Sequence, residues 1–386
     1  MSTWDDVPAF VLDSGSGVVK CGFAGEEVPR GVFAAAVGHP RGQPDGPFTV
    51  GDSVTENGGA GLTVRYPIEH GIVNDWDGLE LLWRKGYETC EADPSSRAVL
   101  VTEAPMNPKS NREGIMSLLF EKFQVPAANI QIQAVLSLYS VGRVSGCVLD
   151  SGDGVSHAVP VYDGHTVPTA IQRLDMAGRD MTEWLMQLLT DETDHPFTTT
   201  ADREAARDIK EKLCYVAQDF DKEMDVFLGS DEAAQKAACQ PYTLPDGTEL
   251  SLGRSLISCA EAMFEPSYVD RNQGGIQHLI HRAINGCGID VRRPLFSNIV
   301  LCGGNTMFKG LDTRLEAEVR HLVNKSVMDD VKVIAPNERK FSVWMGAAIL
   351  ASLTSFLTEW ITKEEYEEHG PNIVHRRCSS YGFVEK

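Results

Sequence analysis

The sequence predicts an α/β protein with two lobes, and three observations support this prediction. The chain has 386 residues, a length that suggests two hydrophobic cores of ordinary size rather than one. The pattern Asp-Ser-Gly-x-Gly-Val occurs twice, as DSGSGV at 13–18 and as DSGDGV at 150–155. Long charged segments with helical periodicity follow the second copy. We therefore expect both strands and helices, with one copy of the repeat in each lobe.

The composition is that of a soluble globular protein and disfavours binding to nucleic acid. The apolar and charged fractions are 42% and 23%, and the formal net charge is −20,. A nucleic-acid surface needs Lys and Arg to displace counterions from phosphates. No segment reaches the ~18 to 20 apolar residues of a membrane span. We expect basic protein partners, no nucleic acid and no membrane span.

The amino-terminal segment and the cysteines indicate an intracellular protein. The segment MSTWDDVPAF has no basic region followed by an apolar run, so we expect no secretory signal. The nine cysteines are scattered and are never spaced as C-x-x-C. This pattern indicates neither a disulfide framework nor a zinc site. We expect reduced cysteines, most of them buried as small apolar side chains.

Each copy of the repeat is predicted to form a strand, a tight turn and a second strand. The β-prone runs AFVLD and GCVLD precede the two turns, and VVKCGFAG and SHAVPVYDG follow them,. Glycines permit positive φ and let several backbone N–H groups approach an anion. Two such turns could hold a polyphosphate, with Asp13 and Asp150 around a hydrated Mg²⁺. The alternative is ordinary turn chemistry, which two copies with matching flanks disfavour.

Pepsin-like aspartic proteases are a rival interpretation, because they also use paired D-[ST]-G loops. They have two lobes, and one Asp from each lobe shares a proton with the other. Those proteases are nearly all β, whereas 200–224 and 310–325 here are predicted amphipathic helices, the first beginning at Thr200,. Lys20, just after the first turn, also suits a phosphate better than a peptide. The residues disfavour the protease without eliminating it.

A third glycine turn is predicted within 298–323. The apolar strand NIVLC runs into Gly303 and Gly304, and a helix follows soon after. This geometry suits a planar base or an anion packed against backbone. Neither the P-loop pattern nor a well-placed G-x-G-x-x-G occurs, so P-loop and Rossmann binding are not supported.

Several longer motifs resemble those of actins and actin-related proteins. YPIEHGIV, TEAPMNPKSNRE, QAVLSLYS, DIKEKLCYVA and AILASLTSF stand between Ala9 and Cys378 nearly as they do in actins. The resemblance implies the two-lobed actin-like ATPase fold of the superfamily that includes Hsp70 and the sugar kinases. Each lobe would have a five-stranded mixed sheet with flanking helices. ATP or ADP and Mg²⁺ or Ca²⁺ would lie in the cleft between the lobes.

The resemblance also implies the lobe boundaries. The first lobe would comprise 1–133 and 341–386, with the shortened loop 39–50 in a small subdomain. The second lobe would comprise 134–340, with a smaller subdomain at about 179–265.

The resemblance assigns roles to individual residues. Gln133 and His157 would position the attacking water, with Asp150 as a third catalytic residue, since phosphoryl transfer depends on placement and charge neutralisation. Asp13 and Asp150 would hold the ion through water. Taken singly, Gln133, His157 and Asp13 could instead have purely structural roles. The nucleotide contacts would come from the three turns and from the adenosine side, namely Ser16, Gly17, Lys20, Gly152, Asp153, Gly154, Val155, Lys210, Glu211, Gly303, Gly304, Met307, Phe308 and Lys340.

Departures from the family pattern occur where actins contact one another in a polymer. The loop at 38–53 is shorter and contains Pro40, Pro44 and Pro47, which limit its conformations,. The segment 264–278 has a polar tip. The carboxy-terminal residues 379–386 extend past the usual end. Ordinary drift of surface loops is the alternative explanation.

Two functions are therefore predicted. The first is a Mg²⁺-dependent, assembly-coupled ATPase that forms cytoskeletal filaments under control of its nucleotide state. The second is an actin-related subunit of a dynein-associated, axonemal or nuclear complex that binds ATP or ADP without forming long filaments. Partners or a motor would dock in a groove near Tyr139, Gly142, Ile349, Leu353 and Phe356. The expected location is the cytoplasm and cytoskeleton, with a nuclear or axonemal pool as the alternative.

Overall fold

A computed structural model of the chain describes residues 4, 6–42, 46–55 and 61–378. The strands are β1 (Phe10–Ser14), β2 (Val18–Phe23), β3 (Gly31–Ala34), β4 (Val37–Pro40), β5 (Thr49–Val50), β6 (Leu62–Arg65), β7 (Ile68–Glu69), β8 (Ile72–Val73), β9 (Val99–Glu103), β10 (Ala127–Ile132), β11 (Gly146–Ser151), β12 (Ser156–Tyr162), β13 (His165–Thr166), β14 (Gln172–Leu174), β15 (Gln240–Thr243), β16 (Glu249–Leu252), β17 (Ile299–Cys302), β18 (Val333–Ile334) and β19 (Ile361–Thr362).

The helices lie mainly on the faces of two larger sheets. They are α1 (Asp52–Thr55), α2 (Trp76–Thr89), α3 (Lys109–Ser117), α4 (Gln133–Ser140), α5 (Gly178–Glu192), α6 (Thr200–Lys212), α7 (Phe220–Leu228), α8 (Glu232–Ala238), α9 (Arg254–Glu261), α10 (Ile276–Asn285), α11 (Ile289–Phe296), α12 (Leu311–Leu322), α13 (Lys325–Met328), α14 (Ser342–Ser352), α15 (Lys363–His369) and α16 (Val374–Arg377). No helix in the described part of the chain is both long and apolar enough to cross a membrane.

The two larger sheets are mixed and are built on the same plan. The first has the order β19-β10-β9-β1-β2-β3, and the second has the order β13-β12-β11-β17-β18 with β14 also on β12. In each sheet the strand before the repeated turn is antiparallel to the strand after it and parallel to a later strand. The predicted two-lobed α/β class is confirmed. Each sheet has six strands among the described residues rather than five, because short strands such as β19 and β14 add to the edges.

The repeated hexapeptide forms two hairpins with the same register. In the first hairpin Asp13 is paired across the strands with Lys20. In the second hairpin Asp150 is paired with His157. Directly opposed residues in an antiparallel pair lie on one face of the sheet. Each aspartate therefore has a basic residue type beside it, but the two residue types differ.

Helices α4 and α14 join the two lobes through a shared apolar core. A Cβ built on Gly346 of α14 would lie only 1.8 Å from the carbonyl oxygen of Leu136 in α4, so the close approach requires glycine. Trp344 is fully buried, and its Nε1 donates a hydrogen bond to the carbonyl oxygen of Val11 at 3.2 Å. This core contains residues from β1 of the first sheet and from β11 and β17 of the second. It fixes the ends of the two hairpins relative to each other.

A smaller three-stranded sheet with the order β5-β4-β6 accompanies the first lobe. The two ends of the predicted loop 39–50 lie in this sheet, with Pro40 in β4 and Thr49 in β5. Residue Pro44 of that loop and the carboxy-terminal 379–386 lie outside the described residues. Strands of the first sheet come from 10–34, 99–132 and 361–362, and those of the second come from 146–174 and 299–334. The exact lobe boundaries stay a prediction.

The helix predicted over 200–224 is wrong in its second half. Helix α6 ends at Lys212, and α7 begins only at Phe220. Between them the backbone N–H of Val216 donates to the carbonyl oxygen of Lys309 at 2.9 Å, so this stretch pairs with a distant segment instead of continuing the helix. The predicted start is confirmed, because α6 begins at Thr200, and Thr199 caps it. The second predicted helix is confirmed as α12.

Candidate functional site

A cavity of about 1040 Å³ lies where the two hairpin turns face each other. Its walls come from both hairpins, from the turn after β17 and from helices α5 and α6. Every residue to which the sequence assigned a nucleotide, cation or water role lines this cavity, namely Asp13, Ser16, Gly17, Lys20, Gln133, Asp150, Gly152, Asp153, Gly154, Val155, His157, Lys210, Glu211, Gly303, Gly304, Met307, Phe308 and Lys340. The roles themselves stay predictions.

The two turns touch each other directly. A Cβ built on Gly17 would lie 2.7 Å from the Cβ of Asp153, which is closer than real Cβ contacts come. A Cβ on Gly154 would lie 3.2 Å from Oγ of Ser16. Glycine is therefore required in the first turn by the presence of the second, and not only by the shape of its own backbone.

A short segment before β8 bridges the two turns. The backbone N–H of Gly71 donates to Oγ of Ser16 at 3.1 Å, in the first turn. The Nδ1 atom of His70 lies 2.7 Å from the carbonyl oxygen of Gly154, in the second turn, and donates in the tautomer that carries a proton there. His70 itself has a positive φ of 50°. This segment holds the two turns in register across the cavity.

Asp13 is neutralised by its neighbours. Its Oδ2 accepts a hydrogen bond from Nζ of Lys20 at 2.7 Å, and its Oδ1 accepts one from Oγ1 of Thr102 at 2.6 Å. The Nε2 of Gln133 lies 3.3 Å from the Thr102 hydroxyl and 3.5 Å from the same Oδ1. Burial alone would lower the pKa of Lys20, but the ion pair outweighs it and the pKa is raised. Lys20 is therefore a cation, and Asp13 is its counter-ion.

Asp150 is in a different electrostatic environment. Burial, together with the nearby charge of Asp13, raises the pKa of Asp150 to about 6. The thiol of Cys302 donates to its Oδ1 at 3.5 Å. No Lys or Arg of the described chain is within ion-pair distance of this carboxylate. At neutral pH Asp150 thus places a poorly compensated negative charge against the cavity.

His157 supplies a neutral ring with an unused nitrogen. The side chain is 2% exposed, and its Nε2 has no hydrogen-bond partner among the residues that the structure describes. Burial lowers the pKa of His157 to about 4, with a further contribution from Arg173. Buried polar atoms are normally paired. An unpaired Nε2 at the cavity is therefore a place where a bound water can donate a hydrogen bond.

The third turn is held against the second hairpin. Gly303 has a φ of +89°, and a Cβ there would lie 2.3 Å from the carbonyl oxygen of Ser151, so no other residue fits. The Nδ2 of Asn305 donates to Oγ of Ser151 at 3.0 Å. Cys302, the last residue of β17, is in register with Asp150. Gly303 and Gly304 therefore line the cavity beside the second aspartate.

On the opposite wall, Lys210 is already engaged by the protein. Its Nζ donates to the carbonyl oxygen of Gly178 at 2.6 Å and to Oγ1 of Thr182 at 2.9 Å. Burial lowers the pKa of Lys210. Glu211 and Lys340 are exposed at the rim. The wall thus has one buried ammonium fixed in position and polar groups that stay accessible.

The residues present fit a hydrated divalent cation. The two hairpin carboxylates, Asp13 and Asp150, both line the cavity. In the described ranges no group of three or more His, Cys, Asp or Glu could enclose a metal directly. Mg²⁺ prefers oxygen ligands and keeps several waters, so two carboxylates acting through water suit it. The poorly compensated charge of Asp150 would attract a cation to this part of the cavity.

Three contributors to the site were missed from the sequence. Thr102 reaches Asp13 because β9 is parallel to β1, with Leu12 opposite Val101. Arg179 at the start of α5 pairs with Asp153 at 3.0 Å and lies 4.7 Å from the ring centroid of Tyr66. The third is the bridging segment 70–71. No local sequence signal identifies these contacts, because each joins segments that are distant in the chain.

The predicted partner groove is only partly exposed. Ile349 and Leu353 are 41% and 46% exposed, whereas Phe356 is 4% exposed and packs edge-on against Trp360 at 5.1 Å between ring centroids. Phe356 therefore lies in the floor rather than on the surface. Tyr139, also predicted here, is partly buried at the end of α4.

The chain matches a known protein family over nearly its whole length. The matching family model is described as Actin, and it covers residues 4–379.

Proposed function

We propose, because the chain belongs to the actin family, that this actin-like ATP-binding protein hydrolyses ATP slowly with Mg²⁺ and assembles into filaments. Nucleotide state would control assembly, since a ligand shifts a conformational equilibrium only through different affinities for the two states. The single observation that carries the proposal is the pair of unlike aspartates on one cavity. Asp13 is compensated by Lys20 at 2.7 Å, and Asp150 has no such cation.

In this proposal the two hairpins bind the phosphates and the cation. Backbone N–H groups of the glycine turns and the Lys20 ammonium bind the phosphate oxygens, and the Asp13 and Asp150 carboxylates hold the ion through water. A bound divalent cation would neutralise charge on the phosphates. The free Nε2 of His157 and the amide of Gln133 hold and orient a water molecule.

The same geometry argues against the aspartic protease interpretation. Proteolysis by such a pair requires two carboxylates that share one proton. Asp13 instead accepts hydrogen bonds from a lysine ammonium and a threonine hydroxyl. A carboxylate held in this way is a poor proton carrier.

Phosphate release from Mg²⁺-ATP tests the hydrolysis. We expect His157→Gln to lower the rate about tenfold or more, because a positioned hydrogen bond to the attacking water is lost. His165→Gln is the matched control, since His165 is an exposed histidine in the same sheet. Equal rates for the two variants would contradict the role given to His157.

The second candidate, a subunit that does not form long filaments, is favoured by one contact. Arg271 at the polar tip of 264–278 lies 3.1 Å from Asp180 in the first turn of α5, so this segment is attached to the body of its own chain. Electron microscopy and pelleting with Mg²⁺-ATP and salt separate the two candidates. Long two-stranded filaments favour the first, and monomers that persist at high concentration favour the second.

We further propose a location in the cytoplasm and cytoskeleton, with a nuclear or axonemal pool if the chain is a complex subunit. Partner proteins or a motor complex would dock an amphipathic helix near Ile349 and Leu353, whose exposed side chains offer apolar contacts,. The boundary at 133/134 would lie at the start of α4. The boundary at 340/341 would lie just before α14.

A further inference from the structure

Two cysteine side chains meet between the first hairpin and helix α2, away from the cavity contacts described above. Cys21 lies in β2, and Cys90 is the residue that ends α2. Their sulfur atoms are 3.5 Å apart. Cys21 is fully buried and Cys90 is 5% exposed. The other seven cysteines, all within the described ranges, are also free thiols.

The surroundings of Cys21 leave its sulfur little freedom except toward Cys90. The Cys21 sulfur lies 3.7 Å from the carbonyl oxygens of both Gly31 and Gly86. A Cβ on Gly31 would lie 2.6 Å from that sulfur, so the thiol occupies space that only glycine leaves open. Gly86 and Cys90 are one helical turn apart in α2. The end of α2 therefore places Cys90 next to the Cys21 sulfur, whose position is restricted by the surrounding backbone.

The pKa values of the two thiols are shifted in opposite directions. Their mutual hydrogen bond lowers the pKa of Cys90 against the opposing effect of burial, and Arg30 lowers it further. The same hydrogen bond and burial raise the pKa of Cys21. The thiolate is the reactive form of cysteine. Cys90 is also the less buried of the two, and Cys21 lies 3.5 Å from it, where a resolving thiol is needed.

We propose that Cys21 and Cys90 form a reversible intrachain disulfide when the protein meets a hydroperoxide. In the first step the Cys90 sulfur attacks the peroxide oxygen, the O–O bond breaks, and Cys90 sulfenic acid and water are formed from hydrogen peroxide. In the second step the Cys21 sulfur attacks the sulfenic sulfur, and the S–S bond forms as water leaves. The balance is two thiols and one peroxide giving one disulfide and two waters.

The disulfide would tie β2 to the end of α2. Disulfide formation requires the sulfur atoms to approach from 3.5 Å to the bond length of about 2.0 Å. A cross-link between residues this far apart in sequence restricts the unfolded chain strongly. We expect the oxidised protein to have a Tm a few degrees above that of the reduced protein. Intracellular disulfides are typically transient and redox-sensing, which agrees with a reduced resting state.

Peptide mapping of the full chain tests this directly. The reduced protein is treated with hydrogen peroxide, free thiols are alkylated, and trypsin digestion is followed by mass spectrometry without reductant. Cleavage after Lys20, Arg30, Lys85 and Arg97 places the two cysteines in peptides 21–30 and 86–97. We expect these peptides as one linked species, minus two hydrogen atoms, that dithiothreitol separates.

Three variants make the result decisive. Cys90→Ser should abolish the linked species and the rise in Tm, and Cys90→Ala provides a second variant if the serine form is unstable. Cys239→Ser is the matched control, because Cys239 is the most accessible of the cysteines and should leave the link intact. Oxidation of Cys90 without linkage to peptide 21–30, or a linked species that persists in Cys90→Ser, would overturn the proposal.

Discussion

The two hairpins share a sequence pattern and a register but differ in charge. In the first, the residue opposite the aspartate is Lys20, and in the second it is His157. Lys20 is a cation bound to Asp13, whereas His157 is neutral because burial lowers its pKa to about 4. Asp150 therefore lacks the partner that Asp13 has, and its pKa is raised to about 6.

This difference shows that a repeat can duplicate a backbone without duplicating an electrostatic role. The glycines and the alternation of apolar residues specify the turn and the pairing of the strands. The residue seven positions after each aspartate specifies whether the carboxylate is compensated by the protein or left for a ligand. The first hairpin contains a counter-ion for its aspartate, whereas Asp150 of the second hairpin has no ion-pair partner among the described residues.

The largest expected change in the free energy of unfolding comes from a substitution in the first hairpin. Asp13→Asn should lower the free energy of unfolding by about 3 kcal/mol, because it leaves the Lys20 ammonium buried without its counter-ion. Urea unfolding measures this. The double variant Asp13→Asn, Lys20→Met should recover part of the loss, since both charges are then absent. A double variant no more stable than Asp13→Asn would mean that the ion pair is not what stabilises this hairpin.

The next largest effect is the dependence of the free energy of unfolding on pH that His157 causes. Its folded pKa of about 4 lies below the unfolded value of 6.5. The unfolded state therefore binds a proton more readily, and the contribution of His157 to stability is present above pH 6.5 and is lost as the pH falls toward 4. The loss amounts to at most about 3 kcal/mol. His157→Gln should flatten the stability profile over that range, and His165→Gln should not.

The sequence correctly predicted those features of the two hairpins and helices that depend on neighbouring residues in the chain. The hairpins, their turns and helix α12 follow from apolar alternation, from glycine and from helical periodicity. The end of α6 was mispredicted because Val216 pairs with Lys309, a segment that is distant in the chain. Thr102 was missed for the same reason. The sequence places Lys20 after the first turn and His157 after the second, but it does not show that His157 would be buried and neutral, because that depends on packing.

Replacing Asp150 is expected to change the free energy of unfolding less than the two changes above. It should clearly weaken the binding of Mg²⁺. Its pKa is raised on folding, so its contribution to stability is present at low pH and is lost as the pH rises from about 4 through about 6,. Asp150→Asn should remove this loss and leave the apo protein at least as stable at pH 7. Mg²⁺ affinity in the presence of ATP should fall about tenfold or more. Calorimetric titration measures the affinity, and an unchanged value would contradict the water-mediated role of Asp150.

The smallest effect is expected at Arg179, which pairs with Asp153 in the second turn. Both side chains are about one-third exposed, so Arg179→Ala should change the free energy of unfolding by less than about 1 kcal/mol. Thermal unfolding at low and high salt checks this value. A loss well above that range would show that the second turn depends on this ion pair as the first depends on Lys20.

The most direct test of the central claim is an experimental structure of the protein with Mg²⁺ and ATP. Our account predicts a single ion whose bound waters contact both Asp13 and Asp150, with the triphosphate lying between the glycine turns of the two hairpins. A nucleotide bound outside this cavity, or an ion that contacts neither carboxylate through its waters, would contradict the account.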